Sequence, residues 1–162
     1  ANLIEANLRG ATITNADLRG SNLEFADLTE SNLSQSNLVE ARLSWAFLTR
    51  ATLIGPNLDG AIFEGADMAR ANLEGSSLKN ANLNWANLQL AKLISANLSG
   101  ADLRLAILSQ ADLTFAVLAN ADLRRTTFRD SDLSFASLFK ADLSNADFRG
   151  VVRMADLTMT PT

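Results

Sequence analysis

Apolar and polar residues recur along this chain with a period of five. Written as A-(N/D)-L-x-x, the unit runs without a gap from Ala1 to Gly150, which gives 30 consecutive pentads in one register. Its third position is Leu in 25 pentads, and the exceptions are Ile13, Phe63, Met68, Phe128 and Phe148. Its first position is Ala in 23 pentads, and the exceptions are Ser21, Ser31, Ser36, Pro56, Ser76, Thr126 and Ser131. Such a repeat predicts one structural unit that is copied along the chain.

A period of five does not suit an α-helix, but it suits short extended segments. In a helix, which turns about 100° per residue, successive leucines would lie about 140° apart and form no apolar stripe. In an extended segment, side chains alternate between two sides, so the first and third residues of a pentad point the same way. The pattern therefore predicts short parallel strands. Ala and Leu point inward, the second and fourth positions face solvent, and the fifth position lies at a corner.

Thirty units in phase form a specific signal, of which residues 81–88 (Ala-Asn-Leu-Asn-Trp-Ala-Asn-Leu) are typical. The chain resembles the pentapeptide-repeat family over about nine-tenths of its length. The resemblance implies an all-β fold: a right-handed quadrilateral parallel β-helix, with four pentads per coil and about 7–8 coils. Similar residues recur 20 positions apart, as in Phe25 and Trp45 or Asp102 and Asp122, which supports a coil of that length.

The register of the repeat breaks after Gly150. Arg153 falls where a Leu belongs, and the next Ala-Asp-Leu, at residues 155–157, is shifted by one residue. We therefore predict a β-helix at residues 1–150 and an irregular C-terminal end or cap at residues 151–162. The apolar residues that would cover the last coil are Val151, Val152, Met154, Leu157 and Met159. The first coil has no apparent cap, and uncovered coil ends predict association with another chain or a second copy.

Composition argues against a catalytic site. The chain of 162 residues has no Cys and no His, so the commonest general base and the thiolate metal ligands are missing. No phosphate-binding Gly loop, nucleophile elbow or metal-ligand spacing occurs. We therefore predict that the protein is not an enzyme and has no cofactor or metal site.

Asp102, Asp122 and Asp142 form a row that Arg104 and Arg124 can neutralise, which indicates a solvated charge ladder.

Charge and hydropathy limit the partners in a similar way. The net charge is −4, and no basic run is longer than Arg124-Arg125, which argues against direct nucleic-acid binding. No apolar run approaches the roughly 18 residues of a membrane span, because polar residues interrupt every pentad. A cytoplasmic location is favoured, and an exported or lumenal one is the alternative if a targeting segment has been removed. The resemblance implies a bacterial protein, since such repeats are especially abundant in cyanobacteria.

One column of fifth positions carries large apolar residues. If the coil has 20 residues, one corner carries a column of Phe25, Trp45, Trp85 and Leu105. Gly65 interrupts this column between the two Trp residues. We name these four residues the apolar ridge. Two interpretations stay open: the side chains cover the corner backbone and stabilise the stack, or they dock a protein partner or a second copy. The apolar ridge is the candidate protein-contact site of this sequence.

The predicted function is a non-catalytic protein-interaction or scaffold module with an unidentified protein partner. The alternative follows from the resemblance, since some family members mimic duplex DNA, bind DNA gyrase and protect it from quinolone drugs. Such mimicry needs a long anionic surface. Residues 1–75 contain ten acidic and five basic side chains, whereas residues 76–162 contain eight and nine. The acidic excess is confined to one half, and the scaffold function is therefore favoured.

Overall fold

The chain winds as a parallel β-helix in the computed structural model, which describes residues 1–154. Parallel bridges join second-position residues that are 20 positions apart, from the pair Asn2 and Asn22 to the pair Thr127 and Asp147. Each coil of the β-helix therefore contains four pentads. Across the described residues, no helix has the length and apolar character needed to cross a membrane.

Backbone hydrogen bonds repeat from level to level of the stack. The third-position N–H donates to the second-position carbonyl of the next coil, as from Leu83 to Asp102 at 2.7 Å. The fifth-position N–H donates to the fourth-position carbonyl of the next coil, as from Trp85 to Arg104 at 3.0 Å. Within a coil, the N–H of Ala86 closes a turn on the Leu83 carbonyl at 3.0 Å. These bonds hold neighbouring coils in a fixed register.

The Asn and Asp residues of the second position have a structural role. The sequence predicted only that they face solvent. Each accepts a hydrogen bond through Oδ1 from the N–H two residues later, as Asn82 does from Asn84 at 3.0 Å and Asp102 from Arg104 at 3.1 Å. In residues 1–150 this turn N–H has no carbonyl partner in the ladder. Asn and Asp readily form such short-range bonds to the backbone. The turn therefore explains why the second position is Asn or Asp.

The interior is a stack of Ala and Leu layers. From residue 21 to residue 133, the first and third positions are buried throughout, and they include the large Phe63 and Phe128. Phe128 stacks on Phe148 one coil further along, with ring centroids 5.0 Å apart. The half-buried third-position residues of the first coil are Leu3, Leu8, Ile13 and Leu18. The predicted inward placement of the first and third positions is confirmed.

The register of the stack changes after residue 150. β1 (Asp132–Leu133) and β2 (Arg153–Met154) form a parallel pair. In this pair Asp132 lies opposite Arg153, a separation of 21 residues instead of the 20 found at earlier levels. The chain thus continues along the same side of the stack with one extra residue. The rest of the predicted C-terminal cap, residues 155–162, lies outside the described residues.

Ser76 is a buried first-position residue whose hydroxyl has no hydrogen-bond partner among the described residues. Ser31 occupies the same position of another pentad, and its hydroxyl donates to the Leu28 carbonyl at 2.7 Å. A paired buried hydroxyl contributes about 1 kcal/mol, whereas an unpaired one costs free energy. Ser76→Ala is therefore expected to maintain or raise the free energy of unfolding, and Ser31→Ala to lower it by about 1 kcal/mol. Urea denaturation checks this, and equal losses in both variants would contradict it.

Candidate protein-contact surface

The corners of the rod share one backbone conformation. All 30 fifth-position residues have a positive φ, between 55° and 70°. The third residue of a type II turn requires a positive φ, which glycine adopts most easily. Most corners nevertheless carry other residues, including Trp45 at 60° and Trp85 at 62°. Because every corner has this geometry, fifth-position side chains that are 20 residues apart project from the rod in one column.

The apolar ridge occupies one of these columns. Phe25 and Trp45 are each 50% exposed, and Trp85 is 58% exposed. Leu105 is half-buried. Backbone hydrogen bonds between coils hold the column in register. For example, the Trp45 N–H donates to the Glu64 carbonyl at 2.9 Å. The structure therefore places all four predicted residues at one corner and leaves its three aromatic side chains accessible.

Trp45 also packs against the coil that follows it. A Cβ atom added at Gly65 would lie 2.5 Å from Cε3 and Cζ3 of the Trp45 indole, so the ring fills the space beside this glycine. Real Cβ atoms do not approach other heavy atoms so closely. The gap at Gly65 is therefore occupied by the neighbouring ring. Trp45 covers the corner backbone, as the first of the two interpretations requires, and half of its surface stays exposed.

Charged side chains form a ladder on the side of the rod that leads to the apolar ridge, in the coils nearer the C-terminus. Arg104 contacts Asp102 at 2.6 Å and Asp122 at 3.6 Å, and Arg124 contacts Asp122 at 2.7 Å and Asp142 at 3.7 Å. The side-chain hydrogen bond from Arg124 lowers the pKa of Asp122, and the same bond raises the pKa of Arg124. The carboxylates and guanidiniums thus neutralise each other along a flat row, as the sequence predicted.

A second group of aromatic side chains lies on other parts of the surface. Phe115 and Phe135, in a different corner column, stack with ring centroids 5.0 Å apart and planes 10° apart. They are 55% and 64% exposed. Lys140 places its Nζ 5.2 Å from the ring centroid of Phe139, within range of a cation–π contact. Phe115 and Phe135 cover each other, which makes this pair a useful comparison for the apolar ridge.

The repeat pattern identifies the relatives of the chain. A family model described as pentapeptide repeats (8 copies) matches residues 1–35, 16–55, 48–84, 71–110, 86–124 and 116–152. The chain belongs to the pentapeptide-repeat family. A comparison of this pentapeptide-repeat protein with curated proteins gave no match.

Two solved structures are similar to this pentapeptide-repeat protein over most of its length. HetL, a pentapeptide repeat protein involved in heterocyst differentiation regulation from the cyanobacterium Nostoc sp. strain PCC 7120, is 28% identical. Its TM-score is 0.56, and the match covers 90% of this chain and 78% of HetL. A trypsin-treated form of QnrB1, a plasmid-mediated fluoroquinolone resistance protein, is 22% identical, with a TM-score of 0.59 over 93% of this chain and 86% of QnrB1. At that identity the likeness to QnrB1 shows the fold alone.

Two further apolar side chains follow the ridge and were not included in the predicted site. Phe47 and Ile107 come two positions after Trp45 and Leu105, and they are 51% and 44% exposed. Both occupy the second position, where the repeat normally has Asn or Asp. That departure from the repeat is the sequence signal that identifies them. Together they widen the apolar surface on the side of the corner that follows the ridge.

Proposed function

We propose that this pentapeptide-repeat protein is a non-catalytic interaction or scaffold module whose contact surface is the apolar ridge. The observation that carries the proposal is the exposure of Phe25, Trp45 and Trp85, each 50% or more, in one column. Contiguous exposed apolar surface is characteristic of interaction sites, and Trp is enriched among the residues that dominate binding energy. The partner is a protein, and the contact involves neither nucleic acid nor a cofactor.

The rod presents this surface on a rigid support. We infer that it winds right-handed, as the pentapeptide-repeat family implies, and that residues 1–150 make about 7–8 coils. The support for that number is the 20-residue spacing of the bridges, which extends from Asn2 to Asp147. At a strand spacing of about 4.8 Å, the rod is roughly 36 Å long. Side chains in one column therefore keep fixed distances from each other, as a docking surface requires.

The distribution of polar groups supports a role without catalysis. A surface depression of about 510 Å³ is lined by Asp17, Arg19, Gly20, Val39 and Glu40. The Arg19 guanidinium there donates to both carboxylate oxygens of Asp17 at 2.8 Å, so these two charged groups satisfy each other. HetL, which is 28% identical, is involved in regulation of differentiation, and this supports an interaction role for the present rod.

The test of the proposed function is a double variant, Trp45→Ala with Trp85→Ala. We expect it to abolish self-association and capture of a partner from the host, because it removes both indoles of the ridge. A loss of about 1–2 kcal/mol in the free energy of unfolding is also expected, since Trp45 packs over Gly65. Sedimentation, partner capture and thermal denaturation measure the three effects.

The matched control for the ridge is the double variant Phe115→Ala with Phe135→Ala. These residues form a comparably exposed aromatic pair in another column. The control should lose stability but keep all association. If the ridge variant also keeps every association and loses only stability, the ridge is structural and the proposed function is wrong.

A second candidate is DNA mimicry directed at a topoisomerase, favoured by the acidic excess of residues 1–75. Several of these carboxylates are already paired, since Asp17 binds Arg19 at 2.8 Å and Glu24 binds Arg42 at 2.6 Å. That pairing weakens the anionic surface which mimicry needs. A DNA gyrase supercoiling assay, with an unrelated acidic protein of similar charge as control, separates the two candidates. Inhibition by this protein alone would favour mimicry, and no inhibition at the highest soluble concentration favours the scaffold.

A further inference from the structure

From Glu5 to Arg125, the chemistry of the ridge column is symmetric about Gly65. Successive levels lie one coil apart, and the fifth-position residues along the column are Glu5, Phe25, Trp45, Gly65, Trp85, Leu105, Arg125 and Asn145. The backbones of Trp45 and Trp85 lie one level from Gly65 on either side, and those of the large apolar Phe25 and Leu105 lie two levels away. At three levels an anion is on one side and a cation on the other.

We propose that the partner of the apolar ridge is a second copy of this chain, packed antiparallel about a two-fold axis at the level of Gly65. The proposal rests on the proposed function of the ridge as a contact surface. In an isologous pair, each residue contacts the residue that is equally far from the axis in the other copy. Trp45 of one copy then lies against Trp85 of the other, and Phe25 lies against Leu105.

Charge complementarity selects the antiparallel arrangement. Glu5 and Arg125 are exposed, and neither forms an ion pair with another side chain of residues 1–152. They lie six levels apart, about 29 Å along the rod, so they cannot reach each other within one chain. An antiparallel pair places Glu5 of each copy against Arg125 of the other, at both ends of the ridge. A parallel pair would place like charges together, which disfavours association.

The fourth-position column beside the ridge has the same polarity. Glu24 and Arg104 stand two levels from the centre on opposite sides, and each keeps an ion pair within its own chain, with Arg42 and Asp102. At the central level, Glu64 would face Glu64 of the other copy. This like-charge contact opposes association, so Glu64→Gln is expected to strengthen the dimer.

The size of the contact sets the expected affinity. A fully buried aromatic side chain covers about 150–250 Å², and the three ridge aromatics are each 50–58% exposed. They therefore offer on the order of 100 Å² each, and Phe47 and Ile107 add a flank. Such a contact lies below the roughly 1,200 Å² total of stable specific complexes. The dimer is thus expected to exchange with monomer, so its detection requires a wide range of protein concentrations.

The experiment is sedimentation velocity on the full chain at increasing concentration. The wild-type protein should shift from monomer to dimer, and Glu64→Gln should shift at lower concentration. Glu5→Arg alone and Arg125→Glu alone should each weaken the dimer about tenfold or more, because each creates two like-charge contacts. An equimolar mixture of these two variants should dimerise, since each reversed charge then meets an opposite one. The matched controls, Glu40→Arg and Lys140→Glu, alter exposed charges at another corner and should behave as wild type.

Cysteine cross-linking tests the direction of packing. The chain has no native Cys, so only the introduced thiols can form a disulfide. The double variant Glu5→Cys with Arg125→Cys should form disulfide-linked dimers under oxidation, and each single variant should stay unlinked. Cross-linking of Glu5→Cys alone would overturn the antiparallel arrangement.

The outcomes separate this proposal from the proposed function. A wild-type protein that stays monomeric at every concentration would overturn the self-contact, while the Trp variants could still abolish capture of a different protein. A dimer that survives both charge reversals and the paired Trp45→Ala and Trp85→Ala changes would overturn the ridge itself as the contact surface.

Discussion

Leu83→Asp is expected to unfold the β-helix. Leu83 is 1% exposed and stands in a column of inward third-position residues, with the buried Phe63 and Leu103 one coil away on either side. A carboxylate at this place would be buried between apolar layers with no partner, at a cost of at least several kcal/mol. Domains are stable by only about 5–15 kcal/mol, so one such change removes most of the margin. Far-UV circular dichroism and thermal denaturation measure the loss.

Asn82→Asp is the matched control, since it introduces the same carboxylate one position earlier. Asn82 accepts a hydrogen bond through Oδ1 from the Asn84 N–H at 3.0 Å, and an aspartate can accept the same bond. The control is therefore expected to melt within a few degrees of the wild-type protein. If Leu83→Asp melted just as cooperatively and at a similar temperature, the inward placement of the third position would be refuted.

Gly65→Ala is expected to have the second-largest effect. Gly65 has a φ of 65°, where an alanine costs roughly 1–2 kcal/mol. The new Cβ would also meet the Trp45 ring at 2.5 Å, and displacing a packed ring adds about 1–3 kcal/mol. The free energy of unfolding should therefore fall by about 2–5 kcal/mol, and the tryptophan emission should shift because the indole moves. Chemical denaturation followed by fluorescence measures both effects.

Gly75→Ala separates backbone strain from packing. Gly75 has nearly the same φ, 64°, but a Cβ added there would have no atom within 4 Å. This control should show the strain cost alone. In a Trp45→Ala background, the extra cost of Gly65→Ala should disappear, because the ring that it displaces is absent. Equal losses for the two glycine variants in the wild-type background would show that Trp45 does not pack over the corner.

The period of five was sufficient to predict the layers of the rod. It determines which positions point inward, because side chains alternate between the two sides of any extended segment. Thirty repeats in the same register make this assignment unambiguous. Leu83 is buried and Trp85 is exposed, as the pattern predicts. The neutralised row of Asp102, Arg104 and Asp122 was predictable for the same reason, since a 20-residue coil places equivalent residues side by side.

The role of the second position was predicted incompletely. Its Asn and Asp residues were assigned to solvent, whereas their Oδ1 atoms accept a hydrogen bond from the turn two residues later. Known preferences of these residues for such bonds could have indicated this. The one-residue shift that places Asp132 opposite Arg153 could be anticipated from the break after Gly150, but the level at which the chain pairs again could not.

The sequence by itself determined the repeat, the inward and outward positions and the column that contains Phe25, Trp45 and Trp85. Only the tertiary structure decided how individual side chains use their equivalent positions. The Trp45 ring lies over Gly65. The Ser31 hydroxyl is hydrogen-bonded, whereas the Ser76 hydroxyl has no partner in the part of the chain that the structure describes. The reason is physical: a repeat gives every corner and layer the same backbone. What distinguishes one level from another is the set of side chains that neighbouring coils, 20 residues apart, bring into contact.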